Sequence, residues 1–352
     1  MNKQPTILWE KGSAYDLFVS LRVLHNPDEF GLRPSWAAGV RSRLPNPFRD
    51  VLEASQKFLK VPLAFIHNLP APKDALTVLA ALEALSPEDR LPALVFGGKK
   101  DSKSQQDLQF LSSLTGKKRL TASNAEQIRQ TYTNPQQVTK ERARATFEAW
   151  SDRSNFGDKF TQALKSYSNS FFLEEETRII TAHTNALEEA QTLSAQIDAL
   201  TLLEKLSTGV RMDWISGISN LVLAPSFWGA PFVFFDTLDE GTGIILFGSR
   251  PKGMTLVPGD LIPEDLLNAL KALADPTRLR ILRYLLEGPR SPSELARILR
   301  LRPPTVTHHL SNLRLAGLVL VTVTPEAERR YTVRMDGINT TVKQLNTFLS
   351  GE

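Results

Sequence analysis

Between Pro303 and Leu315 the chain sorts two kinds of residue at helical spacing. Val306, Leu310 and Leu313 recur at i, i+4 and i+7, which makes one apolar stripe of an amphipathic helix. Thr305, Thr307, His308, Ser311, Asn312 and Arg314 are left for the opposite surface. That surface is polar, of middling side-chain size, and carries no acid. Hydroxyl, amide and imidazole groups there can exchange hydrogen bonds with base edges in a major groove, while flanking cations hold phosphates. Arg302, just ahead of the helix, and Arg314, near its end, join Thr305, Thr307, His308 and Ser311 as candidate nucleic-acid contacts.

A helix of that kind works only if neighbouring elements hold it. Ser291-Pro292-Ser293-Glu294 carries the cap, proline and first-turn acid of a helix start, and Leu295, Ala296, Ile298 and Leu299 supply its apolar face. Arg300-Leu301-Arg302-Pro303 is then a tight turn into the polar-faced helix at about 303–315. Ala316-Gly317 closes that helix, with glycine at the left-handed cap position. Leu318 to Val323 is strand-like, Thr324 to Glu328 turns, and Arg329 to Val333 returns, so a wing is expected over about 318–334. Arg329 and Arg330 near its tip suit a backbone or minor-groove contact. Glu326 and Glu328 beside them work against a strongly binding wing. Residues 263–274 predict a helix ahead of the unit, and Asp275-Pro276-Thr277 starts another that Gly288-Pro289 stops. A last helix spans Asp336 to Leu349, striped by Ile338, Val342, Leu345 and Leu349.

Charge follows the same division. The 352-residue chain has a formal net charge of +4, and residues 261–352 alone hold 13 Lys and Arg against 9 Asp and Glu. Residues 1–260 hold 29 of each and balance. Eleven of the 13 C-terminal cations are arginine, the side chain that forks onto phosphates and guanine edges. A solvated basic face would show the same excess, so the asymmetry favours a polyanion partner only modestly.

Residues 264–350 resemble the ArsR/SmtB family of bacterial winged-helix transcriptional regulators. The resemblance is carried by the Ala-Asp-Pro-Thr-Arg-Leu-Arg-Ile-Leu run at 274–282, by Glu294-Leu295-Ala296, and by Thr305-Val306-Thr307-His308-His309-Leu310. Leu313 and Ala316-Gly317-Leu318-Val319 continue it. It covers about a quarter of the chain. It implies a homodimer on a palindromic operator, usually repressing, released by a ligand or metal, with Thr305, Thr307 and His308 where base-reading side chains lie. Many family members sense metals through cysteines on the helix before the polar-faced one. Here that helix start holds Ser291, Ser293 and Glu294, and the chain has no cysteine, so thiolate sensing is excluded. The N-terminal region is similar to long N-terminal extensions on some ArsR-like regulators, which implies architecture and little else.

The histidines add no metal site to the expectation. His308 and His309 are adjacent and point to different helix faces; His309 reads as a packed structural residue. His25, His67 and His183 are isolated in sequence and read as surface or core. No cofactor is expected.

The N-terminal region reads as α-rich. Helices are expected over 13–24, 34–43, 47–60, 72–85, 101–115 and 122–132, with a further start at Ser86-Pro87-Glu88-Asp89. In the first, Ser13 and Asp16 have capping-box-like spacing. Long helices are expected over about 135–207, broken near Asn155-Phe156-Gly157 or Ser168-Asn169-Ser170. Ala186, Ala190, Leu193, Ile197 and Leu200 make one apolar seam at 4-3-4-3 spacing. It reads either as a dimerising coiled coil or, preferably, as a long helix lying on its own domain. Glu174-Glu175-Glu176 reads as a solvated first turn. NLVLA (220–224), PFVFF (231–235) and GIILFG (243–248) predict a small antiparallel sheet within 210–250. The aromatics Phe227, Trp228, Phe232, Phe234 and Phe235 are either the core of that sheet, the preferred reading, or the wall of an apolar effector pocket.

Several functions are excluded or disfavoured. Gly97-Gly98-Lys99-Lys100 lacks phosphate-loop spacing, and Gly241-Thr242-Gly243 lacks the following helix of a dinucleotide fold. No nucleophile elbow or zinc-protease pair is present, so no enzyme is expected. Trp214 to Phe235 is 22 residues without charge, but its glycines, prolines and polar residues argue against a membrane span. The expectation is a mainly α protein with small β elements: an α-rich regulatory domain over 1–258 with a small antiparallel sheet, then a winged helix-turn-helix over 259–352. It is expected to bind double-stranded DNA as a cytoplasmic homodimer, most simply as a repressor, and to answer an unknown small-molecule effector. The alternative is an interaction scaffold whose winged helix no longer binds DNA, which the Thr305, Thr307, His308 and Arg314 surface argues against.

Overall fold

The computed structural model describes residues 4–30, 32–207, 210–212, 215, 217–230, 233–251, 263–323 and 329–350. Its N-terminal part is built around α1 (Ala14–His25), in which only Arg22 and His25 escape full burial. The stripe Leu17, Leu21, Leu24 understates it, because Ala14, Tyr15, Val19 and Val23 are buried as well. A helix buried on nearly every side lies inside a layered body. Around it run α2 (Pro34–Arg41), α3 (Asn46–Gln56), α4 (Leu63–His67), α5 (Ala75–Ala84), α6 (Pro87–Phe96), α7 (Ser102–Ser112), α8 (Ala122–Gln130), α9 (Lys140–Ser151) and α10 (Arg153–Tyr167).

A π-helical turn at Ser168–Phe172 joins α10 to α11 (Leu173–Ser194), and α12 (Ala199–Leu206) follows. Of the two break points expected in this stretch, the one at 168–170 coincides with the π turn, whereas 155–157 lies inside α10. The expected 4-3-4-3 seam is interrupted between α11 and α12. Asp198 caps α12, accepting from the Leu200 and Thr201 amides at 3.0 and 3.1 Å. Ala190 is buried in the chain's own core with Ala186, Leu193 and Ile197 packed beside it, while Leu200 is exposed. The seam therefore serves intrachain packing.

The sheet differs from the expected antiparallel one. β1 (Thr6–Trp9), β3 (Asn220–Ser226), β4 (Phe234–Asp239) and β5 (Thr242–Gly248) form a mixed sheet ordered β1-β3-β5-β4. β1 and β5 both run parallel to β3, and only β4 pairs antiparallel, with β5. Burial explains this correction. β3 and β5 are covered on both faces, as continuous apolar runs in parallel strands are, whereas β4 alternates half-buried with exposed residues at the edge. Of the PFVFF run, only Phe234 and Phe235 belong to β4.

This sheet separates two cores. Val222, Ala224, Ile244 and Leu246 face the helical core around α1. Leu221, Leu223, Ile245 and Phe247 face a second core shared with the C-terminal unit. That unit comprises α13 (Glu264–Leu273), α14 (Pro276–Leu286), α15 (Pro292–Leu299), α16 (Pro303–Leu315), the hairpin β6 (Val319–Val323) and β7 (Arg329–Val333), and α17 (Met335–Ser350). β2 (Val210–Met212), from the N-terminal part, pairs parallel with β6, so the hairpin becomes a three-stranded sheet ordered β2-β6-β7. The expected boundary at 258/259 lies outside the described residues.

Phe227 and Trp228 are completely buried, and Trp228 stacks on Trp36 at 6.0 Å and meets Phe171 edge-on at 5.7 Å. These two aromatics are core, while Phe235 is exposed and Phe232 lies outside the described residues. The 214–235 stretch supplies β3 and the turn after it, and no helix among the described residues is long and apolar enough to cross a membrane.

Candidate nucleic-acid interface

α15 starts on a capping box. The Ser291 hydroxyl accepts from the Glu294 amide at 3.3 Å, and the Glu294 carboxylate accepts from the Ser291 amide at 2.7 Å. The backbone bond from Ser291 is the main reason the Glu294 carboxyl is held below its ordinary range. The turn to α16 passes through Arg300 at φ +55°, in the left-handed region where an L side chain crowds its own backbone. Pro303 and Pro304 occupy the first helical positions of α16, where a missing N–H costs nothing.

Val306, Leu310 and Leu313 are each completely buried, in the same core as Ile281, Leu285, Leu295 and Leu318. The sequence-predicted inner stripe is therefore the packed one, and burying it turns the polar face outward. Arg302, Thr305, Thr307 and His308 are exposed; Ser311 and Asn312 are half-buried. The Thr307 hydroxyl donates back to the Pro303 carbonyl at 3.0 Å. Asn312 Nδ2 lies 3.3 Å from His308 Nε2, a donor to that nitrogen when it carries no proton. Gly317 follows at φ +68°, as the expected left-handed cap.

Arg314 is half-buried rather than free on the face. Burial pushes its guanidinium down to about 10, the Tyr331 hydroxyl partly offsets this, and Arg329 adds repulsion; the group stays cationic at neutral pH. Arg329 and Arg330 are both exposed but, as neighbours on a strand, they diverge. Arg329 lies within electrostatic range of Arg314, whereas Arg330 feels Glu294 on α15. The wing tip, with Glu326 and Glu328, lies outside the described residues. His309 is half-buried with Nδ1 4.0 Å from the Asp275 carboxylate that caps α14. Burial lowers its pKa despite that acid, as for a packed residue.

Residues 275–320 match the family model described as bacterial regulatory protein, arsR family. This segment is similar to the helix-turn-helix of the arsR family. Among curated proteins, the HTH-type transcriptional regulator CmtR of Mycobacterium bovis and that of Mycobacterium tuberculosis are each 54% identical to the chain over 52 residues. The match takes in 15% of this chain and 44% of each relative, so the chain spans less than half the length of the curated proteins it matches. The arsR-type segment contains α14, α15 and α16 in full, and the 274 residues ahead of it lie outside the family match.

Sequence reasoning missed a second polar constellation in the N-terminal part. Asp16, spaced like a capping-box acid, caps nothing: Ser13 makes no cap bond and instead donates to Glu176 at 2.6 Å. The Asp16 carboxylate is fully buried and accepts from Ser226 Oγ at 2.6 Å and the Phe227 and Trp228 amides at 2.8 and 2.9 Å. It also meets His183 Nε2 at 2.7 Å. An Asp, a His and a Ser thus converge, but Ser226 bonds the carboxylate and all three are buried, so this geometry does not present a nucleophile activated by a base. It ties α1, the end of β3 and α11 together. Glu176 likewise accepts from Ser13 and from the Ala75 amide, and half-buried Glu175 pairs with Arg178, so of the three adjacent acids only the exposed Glu174 fits a solvated turn. Among the described residues, no group of three or more His, Asp and Glu side chains is placed to share a metal ion.

Proposed function

We propose that the chain is a DNA-binding transcriptional regulator, most simply a repressor, that reads operator DNA with α16 and supports it with the wing at about 318–334. Thr305, Thr307 and His308 meet base edges, Ser311 assists, and Arg302, Arg314, Arg329 and Arg330 supply phosphate contacts or long-range field. The carrying observation is the α16 surface: an acid-free polar face projected to solvent by a fully buried Val306–Leu310–Leu313 stripe. The positive excess of the C-terminal quarter and the likeness to curated regulators support the same reading. Residues 1–258 act as the regulatory domain, with β2 on β6 and the shared core as the route by which an effector state reaches the wing. A second copy of the chain covers the exposed apolar residues Val342, Phe348 and Leu349 of α17, giving a homodimer on a two-fold operator in the cytoplasm.

A duplex gel shift across a salt series tests this. Wild type is expected to prefer a promoter fragment over random DNA by about 10³-fold or more. Thr307→Ala with His308→Ala is expected to lose about 10- to 100-fold on the promoter fragment while random-duplex binding persists. Identical binding of both proteins to both duplexes at every salt concentration defeats the reading.

A further inference from the structure

The polar face of α16 carries two side chains whose hydrogen-bond polarity is already committed within the helix. The Thr307 hydroxyl spends its one proton on the Pro303 carbonyl at 3.0 Å, so it offers its surroundings only lone pairs. His308 Nε2 lies 3.3 Å from Asn312 Nδ2, one helical turn on and on the same face. An amide NH2 only donates, so the nitrogen it meets holds a lone pair. A neutral imidazole has a single N–H, and with Nε2 accepting, that N–H is on Nδ1. Free histidine side chains favour the opposite arrangement, with the proton on Nε2. Asn312 is half-buried and His308 exposed, so the amide is the anchored partner and the ring is the one it orients. No acid lies within α16 to draw a proton onto Nε2 instead.

We propose that Asn312 is a positioning residue that fixes His308 as a hydrogen-bond donor through Nδ1, and that His308 therefore faces guanine or thymine in bound DNA. In the major groove guanine offers N7 and O6, and thymine O4, as acceptors, whereas cytosine offers only its N4 donor. An Nδ1–H meeting cytosine N4 sets donor against donor. Adenine, with an acceptor at N7 beside a donor at N6, is intermediate. The opposite tautomer would reverse the preference. The base preference rests on the DNA-binding reading of α16; the tautomer does not.

The tautomer is read in the full chain without DNA. Isotope-labelled histidine leaves five imidazoles to observe, His308→Gln assigns one of them, and a mildly alkaline buffer keeps histidine rings neutral. Long-range nitrogen–proton correlation spectra are expected to show the His308 proton on Nδ1 in wild type and on Nε2 in Asn312→Ala. Sequencing of the DNA that wild type selects then locates the position at which His308→Ala loses enrichment. That position is expected to hold guanine or thymine and to disfavour cytosine by about 10-fold or more. Asn312→Ala is expected to lose most of that discrimination while its binding to random duplex stays within about twofold, because phosphate contacts are untouched. The proposal is overturned if wild-type His308 carries its proton on Nε2, if Asn312→Ala leaves the tautomer unchanged, or if that variant keeps the wild-type discrimination. Selection of no motif by wild type defeats the DNA-binding reading and the base preference with it, whereas a motif with cytosine at that position defeats the base preference alone.

Discussion

Replacing Asp16 by asparagine separates the two roles that residue could have. As a capping acid on a first turn, Asp16→Asn would cost well under about 1 kcal/mol, the size of a helix-dipole contribution. The buried network predicts much more. One carboxylate oxygen serves Ser226 Oγ and the Trp228 amide; the other serves the Phe227 amide and His183. Asparagine offers one accepting oxygen and one NH2. The imidazole or the hydroxyl can reorient to accept from that NH2, but the backbone amides cannot. Whichever way the amide is turned, Phe227 or Trp228 is left with a buried N–H facing another donor. Such an orphan costs about 1–3 kcal/mol, and the bonds that remain lose their charge assistance, about 1 kcal/mol more. The expected loss is about 3 kcal/mol, more than 100-fold in the unfolding equilibrium. Urea unfolding followed by far-ultraviolet dichroism reads it as a lower midpoint at unchanged slope. A variant within about 0.5 kcal/mol of wild type, inside ordinary surface-substitution scatter, refutes the network argument.

Three further outcomes follow from the same structure. Ser291→Ala removes the α15 capping box and should lower stability by about 1 kcal/mol; a neutral result in urea unfolding would show the cap to be idle. Burial works against the Glu10 carboxylate, but hydrogen bonds from His67, Lys73 and Tyr15 outweigh it and hold its pKa below the ordinary range. Its contribution is therefore complete above the unfolded pKa of about 4.3 and is lost as pH falls through the lower folded value. Glu10→Gln should lack that contribution at neutral pH and show a flatter acid limb in thermal unfolding; an unchanged limb counts against the assignment. Val342→Asp with Leu349→Asp should leave the fold intact and shift sedimentation toward monomer, whereas an unaltered oligomer places the dimer contact elsewhere.

What was legible in the sequence was local. The α16 stripe, the Gly317 cap and the Ser291/Glu294 box are each set by residues within a few positions of one another, so spacing alone reveals them. Contacts between distant segments were not. Asp16 bonds residues 210 to 212 positions away, and at sequence level its spacing from Ser13 is indistinguishable from a cap. β1 is four residues long and gains its place only by pairing with β3. The continuous burial of β3 and β5 was visible as unbroken apolar runs, a signature of parallel strands that reading by hairpins overlooked. Arg314 belonged to the polar face by spacing, but it is half-buried and within electrostatic range of Tyr331 and Arg329 on β7.

The central claim is that α16 reads sequence. Its most direct test is to mix the full chain with random-sequence duplexes, recover the bound fragments over several rounds and sequence them. Wild type is expected to enrich a two-fold symmetric motif, and Thr307→Ala with His308→Ala to lose the enrichment at the positions those residues face while still retaining DNA. Recovery of no motif by wild type, or of the same motif at the same strength by both proteins, contradicts the account.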